Sequence, residues 1–310
     1  MICSLPILDW ILDHLTGMDI DVCCSIKREQ YIALIGPNRA AKLHDVQMDY
    51  PKTNTYHARF EVNEFTRLHL SQPFVHSFSF YTDIFLKNQQ RMFELNNLEK
   101  VFPAGNNQIA NRAVMKGYNR ITYPQYTLGL DEFTYPVMNH IPDGNIEGKY
   151  ITINDGWGHW LKDDRPTKAW KPAAWRYLVS NLRTHGIKIV QIGSSDMGED
   201  YDVDIQLRGK TTLMESMSVL KNAMLHVDVE GGLVHAKAAM GGISLVLMGP
   251  TNAPFFGYPQ NINLTHGACQ NCWHRIPNWN MICDQGIQTC MNHDACLVED
   301  KIMQFVQCLE

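Results

Sequence analysis

The segment Leu225-His-Val-Asp-Val-Glu-Gly-Gly-Leu-Val-His-Ala236 joins a predicted strand to a predicted helix, and the fold prediction rests on it. Its apolar residues indicate a buried strand over Leu225–Val229, and a helix follows over Leu233–Met240. The two glycines between them would let a ligand approach the backbone closely, and the helix start offers unpaired N–H groups. The turn is therefore predicted to bind a phosphate or diphosphate. The alternative is a tight strand–helix turn with a histidine in the core.

Strands and helices alternate on both sides of this segment. Further strands are predicted at Tyr150–Ile153, Ile187–Ile192 and Ile243–Met248, and further helices at Pro172–His185 and Thr211–Ala223. Thr212 and Glu215, at the start of the second of these helices, have the spacing of a capping box. This alternation predicts an α/β fold, a parallel sheet with helices on both faces in a Rossmann-like domain.

Length and composition favour a globular chain of two domains. The 310 residues, 45% of them hydrophobic and 19% charged, exclude collagen-like, coiled-coil and wholly disordered proteins. Residues 141–148 are dense in turn formers and make a candidate linker. We predict an N-terminal domain over 1–148, a Rossmann-like domain over 149–265, and a cysteine-rich segment with a terminal helix over 266–310.

The charge and hydropathy patterns bear on partners and location. A net charge of −5 without basic runs argues against nucleic acid as a partner. No stretch reaches the roughly 18 consecutive apolar residues of a membrane span. The apolar N-terminus carries Asp9 and Asp13, which indicates an amphipathic helix and not a signal peptide. We expect a cytoplasmic protein without a membrane span, whose cysteines are metal ligands or free thiols.

Six of the nine cysteines fall between residues 269 and 308. Cys269 and Cys272 form a C-x₂-C knuckle, and a tetrahedral site for iron or zinc needs four such ligands. The predicted ligands are Cys269, Cys272, Cys283 and Cys296, with Cys290, His274 or His293 as alternates. We expect a structural metal in a small finger. Ordinary buried or free thiols are the alternative.

Polar turns follow the predicted strands, where parallel α/β sheets bind ligands. These turns are Asn154–Gly156, Gly193–Ser195, Glu230–Gly232 and Gly249–Thr251. Glu230 could accept hydrogen bonds from sugar hydroxyls, and His235 could donate to the same group. Lys168 could reach a phosphate at the strand ends or simply be solvated. No Walker loop or G-x-G-x-x-G motif occurs, which removes the main support for P-loop NTPases and ordinary dehydrogenases.

Five motifs occur in a fixed order along residues 168–251. They are Lys168-Ala-Trp-Lys-Pro-Ala-Ala-Trp-Arg-Tyr-Leu178, Ile189–Gly193, Leu207–Leu213, Glu230–Ala236 and Leu247–Thr251. In this order they resemble glycosyltransferase family 9, the heptosyltransferases. The resemblance implies a GT-B fold of two Rossmann-like domains, with a nucleotide-diphosphate sugar, ADP-heptose, bound mainly by the second. It also implies inverting transfer without a catalytic metal.

The resemblance assigns donor-binding roles to particular residues. They are Lys168, Gly193, Asp196, Glu230, Gly231, Gly232, Leu233 and His235. Lys168 would contact the donor phosphates, and Glu230 would hold sugar hydroxyls where many members have Asp. Gly231 stands where many members have Thr or Ser, and it would present backbone N–H groups to the diphosphate together with the next two residues. Both departures from the family pattern leave the donor sugar open.

Other parts of the chain carry further expectations from the resemblance. Asp196, Glu199 and Asp200 are candidates for binding the nucleotide ribose. The cysteine finger resembles that of the autotransporter heptosyltransferases, which bind iron there. The family's catalytic base, an aspartate that takes the acceptor proton, would lie just before Met1, so we expect a truncated start. Asp9 and Asp13 are poor substitutes for it.

The leading hypothesis is an inverting glycosyltransferase that transfers a sugar, heptose by resemblance, to a hydroxyl of a protein or glycan. The second hypothesis is a truncated or catalytically inactive module that binds nucleotide sugars. A metal-finger protein that binds nucleic acid is a third hypothesis, which the net charge of −5 disfavours.

Overall fold

The chain has two compact units, residues 1–140 and residues 141–310, in its computed structural model. The structure describes residues 2–14, 20–22, 33–45, 58–62, 66–70, 79–101, 106–156, 166–196, 198–267, 269, 271–276 and 278–309. The division into three parts over 1–148, 149–265 and 266–310 stays a prediction.

The first unit contains helices and two small sheets. Its helices are α1 (Leu5–His14), α2 (Pro37–Ala40), α3 (Ser79–Val101), α4 (Asn106–Met115) and α5 (Thr122–Leu128). Its strands are β1 (Ile20–Val22), β2 (Leu43–Asp45), β3 (Ala58–Val62) and β4 (Thr66–Leu70). Strands β1 and β2 pair in parallel, and β3 and β4 pair antiparallel.

A buried amide joins three elements of the first unit. Asn88 on α3 accepts from the Leu68 backbone N–H at 3.0 Å and donates to the carbonyls of Thr66 at 2.7 Å and Thr127 at 2.6 Å. The Thr66 backbone N–H donates to the Thr127 hydroxyl at 2.8 Å. Because buried backbone groups need partners, Asn88 fixes β4 and α5 against α3.

The second unit has the alternating order that the sequence predicts. Its strands are β5 (Ile151–Ile153), β6 (Ile189–Gln191), β7 (Ile205–Gln206), β8 (Leu225–Val229), β9 (Ser244–Met248) and β10 (Ile262–Thr265). Its helices are α6 (Pro172–Thr184), α7 (Leu213–Asn222), α8 (Gly232–Ala239), α9 (Ala253–Phe256) and α10 (Ala295–Gln307).

The strands of the second unit form one parallel sheet in the order β10-β9-β8-β5-β6-β7. This is the doubly wound order of Rossmann-like domains, and it confirms the predicted fold class. The sequence missed β7 and β10. The predicted strand Ile187–Ile192 is longer than the observed β6, whose ladder with β5 covers only three residues.

Two tryptophans join α6 to the sheet. Trp170 and Trp175 are buried and meet edge to face with ring centroids 5.0 Å apart. They share a core with alternate residues of the central strands and with Val298 and Ile302 of α10. The terminal helix α10 therefore packs within the second unit.

The start of α7 has the predicted capping box. The Thr212 hydroxyl accepts from the Glu215 backbone N–H at 3.3 Å, and the Glu215 carboxylate accepts from the Thr212 backbone N–H at 2.7 Å. Both ends of the box are therefore formed, and two otherwise orphaned N–H groups are satisfied.

We expect Thr212→Ala to lower the free energy of unfolding by about 1 kcal/mol, because the N-cap acceptor is lost. Urea unfolding followed by circular dichroism measures the change. Thr212→Ser keeps the hydroxyl and is the matched control. Equal stability of the alanine and serine variants would contradict the capping role.

Candidate functional site

The strand order reverses between β5 and β8, and the candidate site lies at the carboxyl ends of these two strands. Asn154 and Asp155 directly follow β5, and Glu230 directly follows β8. Doubly wound sheets bind ligands in the crevice at such a switch point. The structure therefore brings together two of the polar turns that the sequence singled out.

Lys168, Glu230 and His235 form a cluster of charged and polar groups in this crevice. The Lys168 ammonium donates to the Glu230 carboxylate and, at 3.2 Å, to the Glu230 carbonyl. His235 Nε2 lies 3.4 Å from the other Glu230 carboxylate oxygen, and its Nδ1 lies 2.9 Å from the Tyr258 hydroxyl. The sequence named the first three residues and missed Tyr258.

The cluster keeps Glu230 ionised although the residue is only 7% exposed. Burial opposes ionisation, but the charge of Lys168 and the hydrogen bond and charge of His235 hold the Glu230 pKa well below its usual range. A buried carboxylate in contact with an ammonium is thus built into the crevice.

The glycine turn between β8 and α8 is open. A Cβ added at Gly232 would meet nothing within 4 Å, and one at Gly231 would meet only the Val229 carbonyl at 3.8 Å. No side chain caps the start of α8, and Leu233 is half-buried there. The helix start can therefore present backbone N–H groups to an anion.

The loop after β6 closes tightly on the end of β5. Gly193 has a φ of +128°, and a Cβ there would lie 2.4 Å from Asn154 Oδ1. The predicted ribose ligands in this loop make polar contacts at the protein surface. Asp196 accepts from the Ser194 hydroxyl, Glu199 pairs with Arg176 at 2.7 Å and Asp200 pairs with Arg208 at 2.8 Å. Gly193 is thus brought to the crevice, and Asp196 is exposed.

A buried polar network lies beneath the crevice, and the sequence patterns did not reveal it. Asp228, 1% exposed, accepts from Asn154 Nδ2 at 3.0 and 2.9 Å and from His226 Nε2 at 3.2 Å. Thr152 Oγ1 lies 3.0 Å from His226 Nδ1. Burial raises the Asp228 pKa, and its hydrogen-bond donors oppose that shift. One feature of the sequence could have indicated this network: His226 and Asp228 are polar residues at alternate positions of the otherwise apolar strand β8.

The two aspartates of α1 in the first unit form ion pairs with Arg39. The guanidinium lies 3.0 Å from the Asp9 carboxylate and 3.1 Å from the Asp13 carboxylate. Burial raises the Asp9 pKa, and the charge of Arg39 opposes this shift. Both carboxylates therefore link α1 to α2 through Arg39.

Four thiols of the cysteine-rich segment influence one another electrostatically. Cys269, Cys272 and Cys283 all raise the pKa of Cys290 electrostatically, although burial is the larger cause, and together these effects raise it to about 12. The pKa of Cys272 is raised to about 11 by burial, Asp284 and the neighbouring thiols. Such thiols stay protonated without a metal ion.

The predicted finger is not present as a closed metal site. Within the part of the chain that the structure describes, no three His, Cys, Asp or Glu side chains converge closely enough to hold an ion.

Other features of the segment nevertheless suit a thiolate ligand. The Gln288 backbone N–H donates to Cys283 Sγ at 3.3 Å. Burial raises the Cys283 pKa, but the backbone N–H groups of residues 285–288 outweigh it and lower the pKa overall. Cys296, in contrast, is exposed on α10 with its sulfur 3.2 Å from the Tyr177 hydroxyl. Cys269, Cys272, Cys283 and Cys290 are therefore candidate ligands for a metal ion, although the described residues form no closed site.

No helix among the described residues is both long and apolar enough to cross a membrane.

The ion pair between Lys168 and Glu230 makes the free energy of unfolding depend on pH. Because the folded-state pKa of Glu230 lies below that of the unfolded chain, its contribution is present above about pH 4.5 and is lost as the pH falls. We expect wild type to lose stability relative to Glu230→Gln between about pH 5 and pH 3, by at most about 1.4 kcal/mol per pH unit. Urea midpoints across this range measure it. Glu132→Gln, at an exposed position, should track wild type. Parallel curves for wild type and Glu230→Gln would contradict the assignment.

The comparisons with known proteins concern both the sequence and the fold. Residues 158–278 match the family model described as glycosyltransferase family 9 (heptosyltransferase). No curated protein sequence matches the chain. The bacterial iron-containing dodecameric glycosyltransferase TibC from enterotoxigenic E. coli H10407 superposes with a TM-score of 0.62 at 15% identity, over 100% of this chain and 74% of that chain.

Two further solved structures match a smaller part of the chain. TibC in complex with ADP-D-β-D-heptose matches 63% of this chain and 55% of that chain, with 17% identity and a TM-score of 0.49. The E. coli heptosyltransferase WaaC with ADP matches 60% of this chain and 57% of that chain, with 19% identity and a TM-score of 0.40.

The predicted resemblance is thus confirmed by the family model, and the GT-B fold is confirmed by the superposition on TibC. The matched residues 158–278 include Lys168, Glu230 and the open glycine turn. Residues 158–278 thus match the model of glycosyltransferase family 9, the heptosyltransferases, and the chain shares the fold of the solved glycosyltransferase TibC.

Proposed function

We propose that the chain transfers a heptose from ADP-heptose to a hydroxyl of a protein or glycan acceptor. One observation carries the donor class: Lys168 and Glu230 meet beside the open glycine turn that begins α8. A nucleotide-diphosphate sugar needs cationic and N–H donors for its phosphates and an acceptor for its hydroxyls, and this crevice offers all three. The donor is named from TibC, which has been solved with ADP-D-β-D-heptose.

Each residue of the cluster has a role in this proposal. Lys168 and the N–H groups of Gly232 and Leu233 bind the diphosphate, and they stabilise the negative charge that grows on it as the sugar leaves. Glu230 accepts hydrogen bonds from sugar hydroxyls. His235, oriented by Tyr258, holds the second carboxylate oxygen of Glu230 in place.

The transfer is a single displacement with inversion. The acceptor oxygen forms a bond to the anomeric carbon while the bond to the diphosphate oxygen breaks, and a general base takes the acceptor proton. Lys168 and the helix start supply the charge that a divalent metal supplies elsewhere, so no catalytic metal is needed in this proposal. Asp9 and Asp13 are paired with Arg39, and we assign neither as the base.

The same ion pairs favour a second candidate function, a module that binds nucleotide sugars without transferring them. The two functions differ in one measurement. Calorimetry with ADP-heptose, paired with a transfer assay on protein and glycan acceptors, gives binding with turnover for a transferase and binding alone for the module.

We expect Lys168→Ala to weaken ADP binding by tenfold or more, because a charge-assisted contact to phosphate is lost. Isothermal titration calorimetry measures the dissociation constant. Lys171→Ala, at an exposed position three residues along the same chain segment, is the matched control. Equal weakening by both changes would mean that Lys168 has no specific role.

A structural iron or zinc ion held by Cys269, Cys272, Cys283 and Cys290 is also part of the proposal. The electrostatic proximity of these thiols and the N–H groups directed at Cys283 support this set, and the description of TibC as iron-containing supports a metal. When bound, the ion would cross-link a segment that has few regular elements. The set with Cys296 in place of Cys290 remains the alternative from the sequence.

Metal analysis separates the two ligand sets. We expect Cys290→Ser to lower the iron plus zinc content of the purified protein to less than half, and Cys296→Ser to leave it unchanged. Inductively coupled plasma mass spectrometry gives the content per chain, with Cys308→Ser as control. The reverse pattern would favour the set with Cys296, and no loss from any variant would remove the metal site from the proposal.

A further inference from the structure

The loop that carries Lys168 is tied to the cysteine-rich segment by hydrogen bonds. The Thr167 backbone N–H donates to the Asn280 carbonyl at 3.0 Å, and the Thr167 hydroxyl donates to the Trp279 carbonyl at 2.9 Å. Gln288 Nε2 donates to the Pro166 carbonyl at 3.2 Å. Every one of these bonds ends within two residues of Lys168.

The indole of Trp170 attaches the other end of the loop. Its Nε1 donates to the His293 carbonyl at 3.0 Å, and His293 Nε2 donates to the Met248 carbonyl at the end of β9 at 3.1 Å. Burial lowers the His293 pKa to about 4, so the ring is neutral and makes this contact as a plain N–H donor. Residues 279–293, here called the clamp segment, therefore bridge the end of β9 and the Lys168 loop.

Thr167 and Lys168 point to different partners. Thr167 is 2% exposed and has both its donors bonded to the clamp segment, whereas the Lys168 side chain is 24% exposed and contacts Glu230. The Trp279 ring centroid also lies 5.8 Å from the Lys168 ammonium. Anchoring one residue thus fixes the backbone from which the next side chain reaches the crevice.

We propose that the clamp segment positions Lys168 for the donor diphosphate, with Thr167 as the joint between them. The proposal rests on the proposed function for the identity of the ligand. A lysine has a long, flexible stem, and ordering it costs conformational entropy whenever it binds. A loop that is already fixed in the free protein loses less conformational entropy when the ligand binds. Thr167 and Gln288 are positioning residues here, since Thr167 adjoins Lys168 in the chain and Gln288 donates to the Pro166 carbonyl.

In this proposal the cysteine-rich segment also affects donor binding, because the clamp segment belongs to it and contacts the Lys168 loop. Cys283 lies five residues from Gln288, whose backbone N–H donates to its sulfur and whose side chain holds Pro166. A change in the fold of the segment around Cys283 is therefore transmitted through one residue to the loop of Lys168.

Thr167→Val tests the joint, because it removes the hydroxyl while keeping the shape. We expect ADP binding about tenfold weaker by calorimetry, since one buried hydrogen bond is lost and the loop loosens. In the transfer assay the donor KM should rise, while kcat changes less than threefold. Thr184→Val is the matched control, because its hydroxyl also donates to a backbone carbonyl, at 2.7 Å, far along α6.

A readout without ligand tests the clamp directly. The rate at which an amine-reactive reagent modifies Lys168, followed by peptide mass spectrometry, should rise several-fold in Thr167→Val, with exposed Lys171 as the internal reference. Gln288→Met, at a half-buried position, should raise it in the same direction and serves if Thr167→Val does not fold. Unchanged labelling of Lys168 in the folded variants would overturn the proposal.

The two measurements separate failure of the clamp from failure of the proposed function. Faster labelling in a protein that does not bind ADP even as wild type would support the clamp and contradict the proposed donor. Tight ADP binding by wild type, with labelling and affinity unchanged in Thr167→Val, would support the donor and overturn the clamp.

Discussion

The buried carboxylate of Asp228 is the constraint on which the geometry of the crevice depends. A carboxylate in the interior is tolerated only when donors surround it, and here Asn154, directly after β5, and His226 from β8 supply them. The two strands that flank the switch point are thereby joined through their side chains as well as through their ladder. Asn154 also accepts from the Gly156 backbone N–H at 3.2 Å. Glu230, two residues beyond Asp228, consequently leaves the sheet at a fixed place and in a fixed direction.

Above this network, the charges of the crevice balance one another. Lys168 and Glu230 form an ion pair in which the carboxylate is almost fully buried and the ammonium is not. Truncating one partner of such a pair leaves the other uncompensated, which is more costly than losing a surface contact. An anionic ligand that draws on the ammonium weakens this ion pair, and hydroxyl groups that donate to the carboxylate replace the hydrogen bond that Glu230 then loses. The pair thus favours ligands that combine phosphate with sugar over either group alone.

Much of the second unit could be predicted from the sequence, for a physical reason. Fully buried parallel strands are apolar runs, and turns need glycine or a cap, so β8, its glycine turn and the capping box of α7 were all visible locally. The short strand β7 has only two residues, and the half-buried β10 lacks a continuous apolar run. Partners distant in sequence, such as Asp228 with Asn154 or Thr167 with Trp279, could not be predicted because no local pattern encodes them. The electrostatic influence of Cys269, Cys272 and Cys283 on Cys290 could not be predicted for the same reason.

The space around Gly231 and Gly232 changes how the glycine turn is understood. Neither residue has a positive φ that would demand glycine, and the room beside Gly232 would admit a methyl group without a clash. The backbone fold alone therefore gives no reason for two glycines at this turn. The open space lies at the surface of the molecule, and without side chains at Gly231 and Gly232 the peptide groups of the turn can be approached directly from outside.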